Sequence, residues 1–162
     1  MPILHTVEEV DAWLEAAGWH LGRDVGEEAS GAIAAVVERY RSYGVDIEPS
    51  EPALAFLREH AFLRAVIDTA PENSAVFTPR LVFKGDAEEI SELAVALGVR
   101  LFPVGYDTYD GSTLLMDEAG RIFFSHHTGA YYLGREKYEA LMSLMSGAME
   151  DAENCFVRPP GS

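Results

Sequence analysis

The apolar residues of this chain change their spacing near residue 63, and that change limits the fold more than any single motif. Upstream they recur at helical intervals. Val7, Val10, Trp13, Leu14 and Ala17 fall on one stripe, and Ile33, Val36, Val37 and Tyr40 on another. Downstream, short runs rich in β-formers alternate with turn residues: Leu63 to Ile67, Ala75 to Phe83, Arg100 to Val104, Ser112 to Met116, Arg121 to Ser125 and Ala130 to Leu133. One helix interrupts the strands, with Ile90, Leu93, Ala94 and Leu97 on its stripe and Gly98 as its stop. A last helix runs from Arg135 to about Glu150, with Tyr138, Leu141, Met142 and Met145 inside. Helices first, then strands around one helix, then a closing helix fit an α+β fold. The sheet is expected to be mostly antiparallel, with helices packed against it, rather than a set of βαβ units.

Local signals place the element ends. Thr6 with Glu9, Asp24 with Glu27 and Asp86 with Glu89 have the spacing of capping boxes. Ser50-Glu51-Pro52 opens a third helix carrying Leu54, Phe56, Leu57 and Phe62, because proline is tolerated in a first turn. Pro103 lacks a backbone donor, so its strand should lie at a sheet edge or stop there. Gly105 to Gly111 reads as a polar, aromatic loop, and Asp117 to Gly120 as a hairpin turn.

Residues Ala16 to Arg23 form a corner between the first two helices. Gly18 can take positive φ at no steric cost and so end a helix. Trp19 must then bury its ring and find a partner for its indole N–H. Gly22 lets the chain turn again before Arg23 and the next helix. Gly18, Trp19, Gly22 and Arg23 are therefore expected to be structural.

The length of 162 residues suits one domain, expected over 1–155 with a flexible tail at 156–162. The formal net charge is −15, from 27 acidic and 12 basic side chains. Such a surface repels nucleic acid and anionic membranes, both of which reward lysine and arginine. It keeps a protein soluble, and it also attracts a basic partner. Cys155 is the only cysteine, so no internal disulfide forms, which suits a cytoplasmic protein. The start of the chain has neither the basic nor the apolar part of a signal peptide, and no run reaches the roughly 18 apolar residues of a membrane span.

Motifs for chemistry are missing. The chain has no phosphate-binding glycine loop and no nucleophile elbow. His126-His127 is the one metal candidate, but neighbours on a strand point to opposite faces unless a turn redirects them. No metal and no cofactor are expected. Asp107 and Asp110 flank Tyr106 and Tyr109, and two carboxylates could share acid–base work if burial separated them. A small hydrolase using Asp107, Asp110 or His126 is the enzymatic alternative. An exposed tyrosine–aspartate cluster suits protein recognition better, since tyrosine gives rigid contact area and carboxylates meet lysine and arginine. Asp107, Tyr109 and Asp110, with Asp117 and Glu118 on the other acidic turn, are the partner-binding candidates.

Several landmarks in order resemble the SUKH superfamily of bacterial immunity proteins, in particular its third subgroup. They are Ala17-Gly18-Trp19 with Gly22-Arg23; Leu101-Phe102-Pro103-Val104-Gly105; Leu114-Leu115-Met116-Asp117-Glu118 with Gly120-Arg121; and Tyr132-Leu133-Gly134 leading to Glu139-Ala140-Leu141 and Gly147. The resemblance spans roughly residues 6 to 148. It implies a compact α+β fold without enzymatic activity. It also implies a role in neutralising a secreted toxin domain, often a nuclease or nucleic-acid deaminase. It supplies no catalytic motif and no toxin-contact residue. The chain departs from a lean family pattern at Asp107 to Gly111 and Ser125 to Gly129, which makes those loops candidates for partner-specific contact. The expected partner is a basic toxin domain; a regulatory or scaffold module of the same fold is the other non-enzymatic reading.

Overall fold

The computed structural model describes residues 3–80 and 82–157. Helix α1, Val7–Ala16, begins as its sequence dictates: the Thr6 hydroxyl accepts the Glu9 N–H at 3.1 Å. Helix α2, Gly26–Ser42, starts two residues later than the Asp24 signal suggests, because the Asp24 carboxylate accepts the N–H of Gly26 instead of opening the helix itself. Helix α3, Glu51–His60, is capped by the Ser50 hydroxyl. Phe62 does not join its apolar face. It lies beyond the helix at φ 71° and is half exposed.

Seven strands follow in sequence order: β1 Arg64–Thr69, β2 Glu72–Val76, β3 Leu101–Asp107, β4 Thr113–Asp117, β5 Ile122–His126, β6 Gly129–Gly134 and β7 Glu150–Asp151. Each pairs antiparallel with its neighbour in one sheet. The fold is thus α+β, an antiparallel meander with helices against it. Helix α4, Lys84–Leu97, connects β2 to β3, and α5, Lys137–Ser146, connects β6 to β7. Every residue of β4 is buried, so the middle of the sheet is covered on both faces. In β1 exposed and buried residues alternate over Arg64 to Ile67, the mark of an outer strand with one wet face.

Five expectations are corrected. The strand expected over Ala75 to Phe83 is displaced: β2 begins at Glu72 and pairs no further than Val76, after which Pro79 cannot donate to a ladder. Asp86 does not open α4. Phe83 is the N-cap residue, and the Asp86 carboxylate reaches back to accept its N–H at 3.2 Å. Pro103 is in neither an edge strand nor a strand end. It is tolerated inside the sheet because β2 meets β3 only at Tyr106 and Asp107, and because the register against β4 shifts between Pro103 and Gly105. The expected Gly105 to Gly111 loop is shorter, since β3 continues through Asp107. Helix α5 is also shorter than expected at both ends, with Glu136 as N-cap and Gly147 as its left-handed stop.

The corner closes as a packed unit. Gly18 has φ 110°, and Trp19 is 8% exposed. The Trp19 indole N–H donates to Glu59 Oε1 at 2.9 Å, and the Arg23 guanidinium donates to the carbonyls of Glu59 and Ala61 at 2.8 Å each. Of the tail expected at 156–162, Val157 donates its N–H to the Ala96 carbonyl of α4, and residues 158–162 lie outside the described ones.

Candidate functional site

A meander sends its turns alternately to two ends of the sheet. The β1–β2, β3–β4 and β5–β6 turns share one end, and the β4–β5 turn lies at the other. The partner-binding candidates are therefore split. Asp107, Tyr109 and Asp110 stand at the first end; Asp117 and Glu118 stand at the second.

At the first end, Asp107 closes β3 and is only 5% exposed. Its carboxylate accepts the Ser112 N–H at 2.7 Å and lies 3.5 Å from the Asp110 nitrogen. It is a turn-holder, not the exposed loop residue the sequence suggested. The next residue, Thr108, is laced to β2 in both directions: its N–H donates to the Ser74 carbonyl, and its hydroxyl accepts the Ser74 N–H, each at 2.9 Å. The Tyr109 N–H donates to Asn73 Oδ1 at 3.2 Å. This backbone lacing presents the Tyr109 ring, 60% exposed, from a rigid turn. Asp110 is exposed beside it, and its Oδ2 lies 2.9 Å from His126 Nε2.

His126 ends β5, so the two-residue alternation of a strand stops there. The turn swings His127 onto the same side, and the two imidazole centroids lie 3.9 Å apart. The expectation that these rings diverge is thereby corrected. Asp110, His126 and His127 bring one ligand atom each within 4.8 Å of one another. His126 also borders two shallow clefts. One, of about 430 Å³, contains Asn73, Asp110 and Tyr131; the other, of about 240 Å³, contains His127 and Glu89 of α4.

At the second end, Asp117 is fully buried. Its Oδ1 accepts the N–H groups of Ala119 and Arg121 at 2.9 Å, and its Oδ2 accepts Arg121 Nε at 2.6 Å. Three donors occupy the carboxylate, which fixes the turn and is turned away from solvent. Glu118 is exposed but tethered: it accepts both the backbone N–H and Nε of Arg100, at 2.9 and 3.2 Å. Those bonds lower its pKa from the ordinary value. Arg100 and Glu118 edge a groove of about 630 Å³ that also contains Arg41, Asp46 and the exposed Val95.

Sequence reasoning missed the cluster beneath the corner. His60 is 1% exposed; its Nδ1 bonds the Phe56 carbonyl, and its Nε2 finds no partner among the described residues. Burial first, and the nearby Lys137 cation second, lower its pKa to about 4. Lys137 itself is held 3.9 Å from Glu59 Oε1, and burial lowers its pKa against the attraction of Glu59 and Asp11. The Tyr138 hydroxyl donates to Asp11 Oδ1 at 2.8 Å, tying α5 to α1; burial and that bond raise its pKa to about 12. The only sequence cue was the position of His60 at a helix end.

The family model for SUKH-3 immunity proteins matches residues 6–147, and the chain belongs to that family. No curated protein and no solved structure matches it. Membership points to immunity by binding rather than to catalysis. No helix among the described residues is long and apolar enough to cross a membrane.

Proposed function

We propose that this chain acts in the cytoplasm as a single domain that binds the catalytic domain of a cognate secreted toxin, a nuclease or nucleic-acid deaminase, and blocks it without turning over a substrate. Family membership across residues 6–147 carries the reading. The surface supports it. A formal charge of −15 complements the basic groove that such a toxin offers to phosphates. Tyr109 supplies an exposed aromatic anchor on a laced turn, and Asp110 supplies a carboxylate next to it. Asp86, Glu88, Glu89 and Glu92 add an exposed acidic face on α4. Asp107 and Asp117 hold the turns, so contact falls to Tyr109 and Asp110, with Glu118 at the opposite end as the secondary candidate.

Co-expression with a candidate toxin domain, sought among the neighbouring genes, tests the reading. Growth is rescued if the chain neutralises that toxin, and the purified pair forms a stoichiometric complex. Unrescued growth with both proteins present at equal levels would remove the immunity function.

A further inference from the structure

We propose that Asp110, His126 and His127 form a binding site for a divalent transition-metal cation of the zinc class. The proposal concerns this chain's own side chains and does not depend on the toxin reading.

Three observations carry it. The first is placement. Two turns from one end of the sheet bring two imidazoles and a carboxylate together, with a ligand atom from each within 4.8 Å of the others. Around a tetrahedral zinc with bonds of about 2.0–2.1 Å, ligand atoms sit roughly 3.3 Å apart. Asp110 Oδ2 and His126 Nε2 are already at 2.9 Å. His127 is exposed and free to close the remaining distance by side-chain rotation.

The second is the orientation of His126. Its Nδ1 lies 2.8 Å from Thr128 Oγ1, which in turn lies 2.7 Å from the Tyr131 hydroxyl. Metal-binding histidines are commonly fixed through the ring nitrogen that does not touch the metal. A bound metal would require the other tautomer, in which Nδ1–H donates to Thr128 Oγ1, the Thr128 hydroxyl hydrogen turns to Tyr131, and the Nε2 lone pair faces the metal. Without metal, the Thr128 N–H lies 3.2 Å from Nδ1, and a proton on Nε2 fills the place of the cation in the bond to Asp110. On metal binding the ring stays neutral: the proton leaves Nε2 for solvent, another is taken up at Nδ1, and the cation occupies the vacated Nε2 lone pair.

The third is the donor set. Two neutral imidazole nitrogens and one carboxylate oxygen suit zinc, nickel or copper; calcium and magnesium prefer oxygen throughout. His126 lines two open clefts, one shared with His127 and one with Asp110, which leaves room for water at the remaining coordination positions.

The test uses the untagged full chain without toxin. Calorimetric titration with zinc chloride, and the visible absorption of added cobalt(II), are measured for wild type, His126→Ala, His127→Ala and Asp110→Asn. Circular dichroism melts establish that each variant is folded. Wild type should take up one equivalent of zinc and give the intense visible bands of four-coordinate cobalt. Each variant should bind at least tenfold more weakly. Absence of stoichiometric uptake in wild type overturns the site. So does uptake that survives any of the three substitutions at full affinity, which would place the metal on other exposed histidines such as His5 or His20. Because no toxin is present, a failure here leaves the immunity reading untouched, and a failure of rescue leaves this site untouched.

Discussion

Lys137 holds its ammonium 4.6 Å from the centroid of the Trp19 ring, closing from α5 the corner that the chain opens at Gly18. His60 lies parallel to the same ring, with centroids 6.3 Å apart and an interplanar angle of 3°. The indole thus neighbours a cation and an imidazole while its N–H bonds Glu59. Trp19 therefore joins three helices: α1 ends beside it, α3 supplies Glu59 and His60, and α5 supplies Lys137.

Trp19→Ala removes this junction. Loss of a large buried aromatic costs about 3–5 kcal/mol. In a domain of this size the melting temperature should fall by on the order of ten degrees, in one cooperative transition. Differential scanning calorimetry checks it. A shift of one or two degrees would deny Trp19 a structural role.

His60 makes stability depend on pH. In the folded chain its pKa is about 4, against 6.5 for a free histidine. Between these values the unfolded chain binds more protons, so folding is favoured less as pH falls. The contribution is complete above about pH 6.5 and is lost as pH drops through 4, a difference on the order of 3 kcal/mol. Lys137 and Arg23 add to the lowering, while Glu59 and the Phe56 carbonyl oppose it. Urea melts of wild type and His60→Gln from pH 7 to 4.5 isolate the effect, because the carboxylates are common to both. The variant should lose less stability over that range. Parallel pH curves would show that His60 titrates alike in the folded and unfolded states.

How much of this was legible in the sequence depended on the range of the interaction. The helices, the Gly18–Trp19 corner and the β4–β5 hairpin follow from local signals and are present, although Val7 and Phe62, assigned to helix stripes, are exposed. Asp107 and Asp117 misled because an aspartate at the end of a short polar segment that contains glycine reads as wet. Each is instead buried, the acceptor for its own turn's N–H groups, a role visible only once the strands are paired. Pro103 misled because edge strand and strand end are not the only places without a partner; a short neighbour such as β2 leaves another. His126 and His127 were separated by a strand rule that stops one residue too early. The Asp110–His126 bond spans two turns that sequence spacing cannot bring together.

Gly134 is fixed by close approach. A Cβ there would lie 2.6 Å from the Ala140 nitrogen and 2.8 Å from the Glu139 carbonyl carbon of α5. Backbone cannot yield as a flexible side chain can. Gly134→Ala should therefore push α5 off β6 and destabilise by about 1–3 kcal/mol. Gly31→Ala, where a Cβ meets nothing within 4 Å on α2, should be neutral or slightly stabilising. Chemical denaturation of the two variants decides; equal stabilities would refute the packing argument.

The toxin-binding prediction separates residues that the sequence treated as a pair. Asp110 is exposed and Asp107 is buried in its turn. If the partner is basic, association should slow as salt rises towards physiological strength, where the screening length is about 8 Å. Asp110→Asn should lower the on-rate if that carboxylate stands at the rim, or raise the off-rate if it is enclosed against lysine or arginine. Either way the melting temperature should stay within a few degrees, since an exposed charge pair contributes at most about 1 kcal/mol. Asp107→Asn should do the reverse. An amide can still accept the Ser112 N–H, but its NH₂ group adds donors inside a buried turn, so stability should fall by about 1–3 kcal/mol. The remaining folded protein should associate at a rate near that of wild type. Stopped-flow or surface-plasmon kinetics at two salt concentrations, alongside thermal melts, resolve the two effects. Salt-independent association would remove electrostatic steering. An unchanged Asp110→Asn together with a slowed Glu118→Gln would move the contact face to the opposite end of the sheet, beside the Arg100 groove.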